Sequence, residues 1–167
     1  MASGFKPNDV IVHPHHGIGT VGKLVDLDIG GQSHRFLMLD FSRTGLTLRI
    51  PEGSVVQSGL RPVSSKQTME SALALLTTAR VALPGHWSRW ADAYAAKLNS
   101  GQPDQLAEVV RDLTPSGSSW KAKLYEEAVL RLAEELAIIE HSDIATARRS
   151  IEERLPPELP RRSASPS

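Results

Sequence analysis

Three histidines, His13, His15 and His16, crowd into one short stretch, and imidazoles at that density are first considered as metal ligands. His13 and His15 have the two-residue spacing that suits ligands on a strand. Pro14 and Gly17 make the segment a turn, however, and no carboxylate or cysteine lies close by to complete a ligand set. A polar turn joining two strands is the better reading, with no metal. Gly17, Gly19 and Gly22 are spaced G-x-G-x-x-G, as in a dinucleotide-binding loop, but that loop needs a following helix to face the pyrophosphate. Thr20, Val21, Leu24 and Val25 read as strand instead, so the spacing carries no nucleotide chemistry. No nucleophile elbow, phosphate loop or His-Glu zinc motif occurs. The chain is expected to be no enzyme and to need no cofactor.

The tryptophans offer a different chemistry. Trp120 falls on an apolar helical stripe and belongs to a core. Trp87 shares a stripe with Ala91, Tyr94 and Leu98, with Trp90 on its edge, so periodicity alone places both inside. Against this, Pro84-Gly85-His86 leaves Trp87 in the first turn of its helix, where a side chain can project past the bundle. An exposed Trp87 beside Arg89 would suit a wedge against an unstacked base step, with Arg89 on phosphate.

The elements that must carry these residues change character near residue 60. Before it, short β-branched runs alternate with glycine-containing turns. Val10 to Val12, Ile18 to Val21, Lys23 to Asp28, Arg35 to Phe41 and Leu46 to Ile50 read as strands, with Ile29-Gly30-Gly31-Gln32 a hairpin turn. Pro51 ends the last long strand, and Val55-Val56 is a short closing one. That pattern predicts a small curled antiparallel sheet or partial barrel. After residue 60 the period is helical. A capping box at Ser64-Ser65-Lys66-Gln67 opens a helix through Met69, Leu73, Leu76 and Arg80. Further helices are expected at Trp87 to Leu98, Asp104 to Leu113 and Trp120 to Glu140, with Thr114 to Gly117 a loop. A last helix, capped by Ser142, stops before Pro156-Pro157. The fold class is α+β with two domains, residues 1–60 and 61–155, followed by a polar Pro/Ser/Arg tail over 156–167.

Composition narrows the partners. The 167 residues carry 19 basic and 19 acidic side chains, and the balance holds in each half, 5 against 5 up to residue 60 and 14 against 14 beyond it. Proteins that grip DNA by charge alone usually show a basic excess, so any DNA contact here must be local and assisted by a partner. The chain has no cysteine, and no apolar run approaches the ~20 residues that span a bilayer. With no signal-peptide pattern at the start, a soluble, monomeric, cytoplasmic protein without a membrane role is expected.

The opening Phe5-Lys6-Pro7-Asn8-Asp9-Val10-Ile11-Val12-His13-Pro14-His15-His16-Gly17-Ile18-Gly19 resembles the start of the CarD/CdnL family of bacterial transcription regulators, F-x-x-G-D-x-V-x-Y-P-x-H-G-x-G. Trp87-Ser88-Arg89 and Leu106 to Leu113 resemble two later signatures of that family, in the same order. The resemblance implies an N-terminal Tudor-like domain that binds the RNA polymerase β subunit, with Arg49 matching a contacting arginine. It implies a C-terminal helical domain at the upstream fork of the promoter bubble, where Trp87 matches the wedging tryptophan and Arg89 the backbone contact. The consequence would be a stabilised open complex. The alternative is a polymerase-bound interaction module that never touches DNA. Asn8 stands where glycine is usual and His13 where tyrosine is common, both read as turn positions. Leu27 replaces a second polymerase-facing arginine of several relatives. Trp90-Ala91-Asp92 replaces an arginine-aromatic-basic run, which should weaken the DNA contact and leaves Trp90 as a rival wedge.

Overall fold

A computed structural model describes residues 4–80, 85–113 and 119–156; the side chains of Trp87 and Ser119 lie outside that description. Five antiparallel strands come first: β1 (Val10–His13), β2 (Gly17–Ile29), β3 (Gln32–Phe41), β4 (Leu46–Pro51) and β5 (Arg61–Pro62). Their order in the sheet is β4-β3-β2-β1-β5, so β4 and β5 are its edges. Five helices follow: α1 (Lys66–Ala74), α2 (Trp90–Asn99), α3 (Pro103–Asp112), α4 (Ser119–Glu140) and α5 (Ile144–Arg154). The fold class is therefore the expected α+β one, an antiparallel sheet and then a helical bundle.

Several local readings are corrected. The two runs on either side of Gly22 are one strand, β2, because a bulge between Val21 and Leu24 absorbs the break in alternation. Val55-Val56 is not the closing strand. Val55 is buried in the sheet's core while Val56 is 87% exposed, and β5 closes the sheet by pairing with Ile11 and Val12 of β1. The first cap is Ser65, whose hydroxyl accepts from the Thr68 N–H, and α1 gives way after Ala74 to a single 3₁₀ turn rather than running to Arg80. The last cap is Asp143, one residue beyond Ser142, since its carboxylate accepts from the Thr146 N–H. The expected loop at Thr114 to Gly117 and the tail from residue 157 lie outside the described residues.

Each module has its own apolar core. In the sheet, Leu37, Leu39 and Phe41 of β3 face Ile11, Val21 and Ile50. In the bundle, Leu132 and Leu136 of α4 pack among Met69, Leu73, Leu106 and Ile151. Three charged residues on one face of α4 cross from the bundle to the sheet. Arg131 donates to the carbonyls of Pro14 (2.5 Å) and His15 (2.9 Å). Glu134 pairs with Arg43. Glu135 takes both arms of Arg61 at 2.8 and 2.7 Å and the Ser64 N–H at 2.9 Å. Arg61 also reaches the Gly101 carbonyl at 2.7 Å.

The Pro14–His16 turn is thus one of the places where the sheet docks on the bundle. Pro14 sits in a notch between Gly59 and Gly101, at positive φ of 79° and 69°. A Cβ on Gly59 would lie 2.7 Å from Pro14 Cγ, and one on Gly101 2.9 Å from Pro14 Cα. His13 is the buried last residue of β1, 8% exposed, not a turn residue. Its Nδ1 accepts the His15 N–H at 3.1 Å, and its ring meets the edge of Phe41 at a centroid distance of 5.9 Å. Burial, helped by His16, His15 and Arg131, lowers its pKa from 6.5 to about 4. As the pH falls from 6.5 towards 4 the unfolded chain binds a proton that the folded chain does not, so stability falls across that window, by up to about 3 kcal/mol. Glu134, its pKa raised by burial, acts in the opposite sense. Urea denaturation at pH 7 and pH 4.5 should therefore show a smaller acid loss in His13→Phe than in the parent protein.

Candidate functional site

Trp87–Arg89 forms a 3₁₀ turn that runs directly into α2. His86 opens it: its carbonyl accepts the Arg89 N–H at 3.0 Å, and its Nδ1 accepts the Ser88 N–H at 3.3 Å. This is the short-range capping that fixes where a helix begins. Trp90, by contrast, is half-buried and packs on the bundle's apolar core. Its indole Nε1 is buried and finds no acceptor among the described residues. Trp90 thus supports the helix from the core side, whereas Trp87 is placed by its backbone alone, in the turn that enters the helix.

The surroundings of this turn are held by a buried polar group. Arg111 grips Asp112 at 2.7 and 3.2 Å and reaches the Thr78 hydroxyl at 2.9 Å. Burial and the neighbouring Asp112 push the Tyr94 phenol up to about 12, so it stays protonated. The Lys97–Glu108 pair (2.6 Å) and the Tyr94–Asp112 contact set α2 and α3 antiparallel. The start of α2, the end of α3 and the start of α4 therefore share one end of the bundle, opposite the Arg131–Glu135 seam. That end carries exposed Arg80, Arg89 and Lys123, with half-exposed Lys121 stacked over Trp120 at 5.5 Å. Asp92 is exposed there too, in the first turn of α2, where a carboxylate favours the helix dipole.

Arg49 lies elsewhere, on the free edge strand β4. It pairs with Met38 and points away from the sheet's core, as the alternation of exposed Thr47, Arg49 and Pro51 shows. Registers place Val25 and Leu27 of β2 beside Phe36 and His34 on the same outer face. The result is a half-exposed apolar strip bordered by one guanidinium. Leu27 joins that strip, beside His34. The three histidine rings do not form a metal cluster; no group of three metal-type ligands occurs among the described residues. Nor is any helix among them long and apolar enough to cross a membrane.

Both halves of the chain match known domains, the CarD-like/TRCF RID domain over residues 5–64 and the CarD C-terminal domain over residues 71–152. The chain belongs to the CarD family. A Bacillus subtilis (strain 168) protein named "Putative transcription factor YdeB" is 24% identical over 136 residues, covering 81% of this chain and 89% of its own length. The chain is thus a CarD-family transcription regulator. Within the CarD opening motif, Asn8 has φ 74°, which explains the usual glycine, since asparagine is one of the few other residues that tolerate this region. Reading for single motifs missed Lys121 and Lys123. Their signal was present in Trp120-Lys121-Ala122-Lys123, but only the antiparallel packing of α3 and α4 brings them to the Arg89 end.

Proposed function

We propose that this CarD-family chain binds the RNA polymerase β subunit through the outer edge of its sheet, with Arg49 as a contact. Its helical module then presents Trp87 and Arg89 to the upstream fork of the promoter bubble and stabilises the open complex. The match of residues 5–64 to a domain type shared with TRCF supports the polymerase half. An edge strand offers unpaired backbone groups for augmentation by a partner strand, and the Val25–Phe36–Met38 strip adds apolar area beside Arg49.

The observation that carries the DNA half is local. In a chain of zero net charge, Arg80, Arg89, Lys121 and Lys123 gather at the end where Trp87 stands, against exposed Asp92. Polymerase supplies the high effective concentration that lets such a modest contact act. The fork is already partly unstacked, so a wedge there favours the open state at little cost. No chemistry on the DNA is required, and the protein works where polymerase and chromosome are, in the cytoplasm.

Trp87→Ala is expected to shorten open-complex lifetime about tenfold, equivalent to ~1.4 kcal/mol of preference for the open state, with polymerase affinity unchanged. A competitor-challenge assay on a linear promoter measures the first and a pull-down titration the second; equal lifetimes would end the wedge reading. The exposed Asp92 favours a second reading, a protein-interaction module without DNA contact. Footprinting with polymerase present separates the two, because the second predicts no added protection at the upstream bubble edge.

A further inference from the structure

We infer that Arg131, Glu134 and Glu135 are positioning residues that make the sheet and the bundle one rigid body. The placement of the Trp87 end relative to the Arg49 face is then fixed before either meets its partner. Linked modules ordinarily move against each other unless a large apolar interface joins them. Here the apolar cores are separate clusters, and the seam between them is polar and directional. Its anchors are spread across the strand ends: Arg43 in the β3–β4 turn, the Pro14 and His15 carbonyls in the β1–β2 turn, and Arg61 on β5. The bundle contributes two separate elements, α4 and the α2–α3 turn at Gly101, which holds both Pro14 and Arg61. One contact would leave a hinge; anchors at three stations, met from two elements, do not.

The groups themselves are suited to the task. The Arg131 side chain is 9% exposed, and Arg61 and Glu135 are 16% and 2% exposed. Arg61 and Glu135 engage fork to fork, a geometry that fixes angle as well as distance. A rigid link matters because the DNA contact is locally weak. Holding Trp87 in one place avoids spending binding energy on orientation. The functional consequence rests on the polymerase-and-promoter reading above, whereas the rigidity does not.

The chain lacks cysteine, so Ser33→Cys and Glu153→Cys, both at exposed positions, give a clean pair of spin-label sites, one in each module. Pulsed dipolar spectroscopy on the full chain should show a single narrow distance in the parent. Arg131→Ala should broaden it, and Arg131→Lys, which keeps the charge and loses the fork, should broaden it less. In polymerase assays Arg131→Ala should shorten open-complex lifetime about tenfold while changing polymerase affinity less than twofold. Circular dichroism would verify that both modules stay folded. A broad distribution in the parent overturns the inference whether or not any variant folds, and so does a narrow one in folded Arg131→Ala. An unchanged lifetime in Arg131→Ala with a broadened distance, where Trp87→Ala does shorten it, overturns the positioning role. If Trp87→Ala is also without effect, the wedge reading fails, and the distance data still decide the rigidity.

Discussion

Glu135→Ala is expected to lower the unfolding free energy by about 3–5 kcal/mol, the range for removing one partner of a buried ion pair. Glu135 is 1% exposed and takes three hydrogen bonds, two from Arg61 and one from the Ser64 N–H. Its loss strands an arginine whose side chain is only 16% exposed, and a part-buried backbone donor with it. In a chain of this size that corresponds to a fall in Tm of roughly 10 °C. Differential scanning calorimetry measures it, with Arg148→Ala as the comparison. Arg148 pairs with Glu126 at 2.8 Å, but both side chains are substantially exposed, 34% and 57%, so its loss should cost about 1 kcal/mol or less. Similar losses in the two variants would mean that Glu135 acts as a surface charge.

Gly19→Val should also destabilise strongly, by about 3 kcal/mol in urea denaturation, the upper end of the overpacking range. A Cβ at Gly19 would stand 2.6 Å from Phe41 Cε1 and 3.2 Å from the Asp40 carbonyl. Phe41 is 1% exposed and lies against His13 and His16, with centroids 5.9 and 5.3 Å away. It cannot retreat without disturbing the docking turn. Gly30→Val, at a hairpin position with open space around it and φ 61°, carries only backbone strain and should cost less. If it costs as much, steric contact is not the reason for glycine at position 19.

These glycines illustrate what the sequence discloses and what it hides. The strand reading of Thr20, Val21, Leu24 and Val25, which set aside the loop suggested by the spacing of Gly17, Gly19 and Gly22, holds, since all three glycines lie in β2. Why glycine stands there was not legible. Gly19 makes room for Phe41, more than twenty residues away, and a Cβ on Gly17 would press to 2.9 Å on Glu134 Oε2 in the other module. Alternation and helical period located nearly every element, since both report on nearest neighbours along one face. They failed at β5, where two residues are too few for a pattern and only pairing with β1 defines the strand. Arg131, Glu134 and Glu135 were hidden for another reason. Charges opposite an apolar stripe read as a solvated face, and nothing local to α4 says that a second module covers them. That Trp90 packs on the bundle's core was visible only once that core was in view.

Strand β4 has a consequence for the protein when no polymerase is at hand. A free sheet edge is a template on which another copy of the same chain can add, and from there chains can grow into aggregates. Arg49 and Pro51 occupy that edge, on the face turned from the core. Two copies aligned there would bring guanidinium against guanidinium, and Pro51 has no N–H to offer an incoming strand. An arginine and a proline on this edge therefore each make strand addition by a second copy less favourable, at the same edge proposed to receive polymerase.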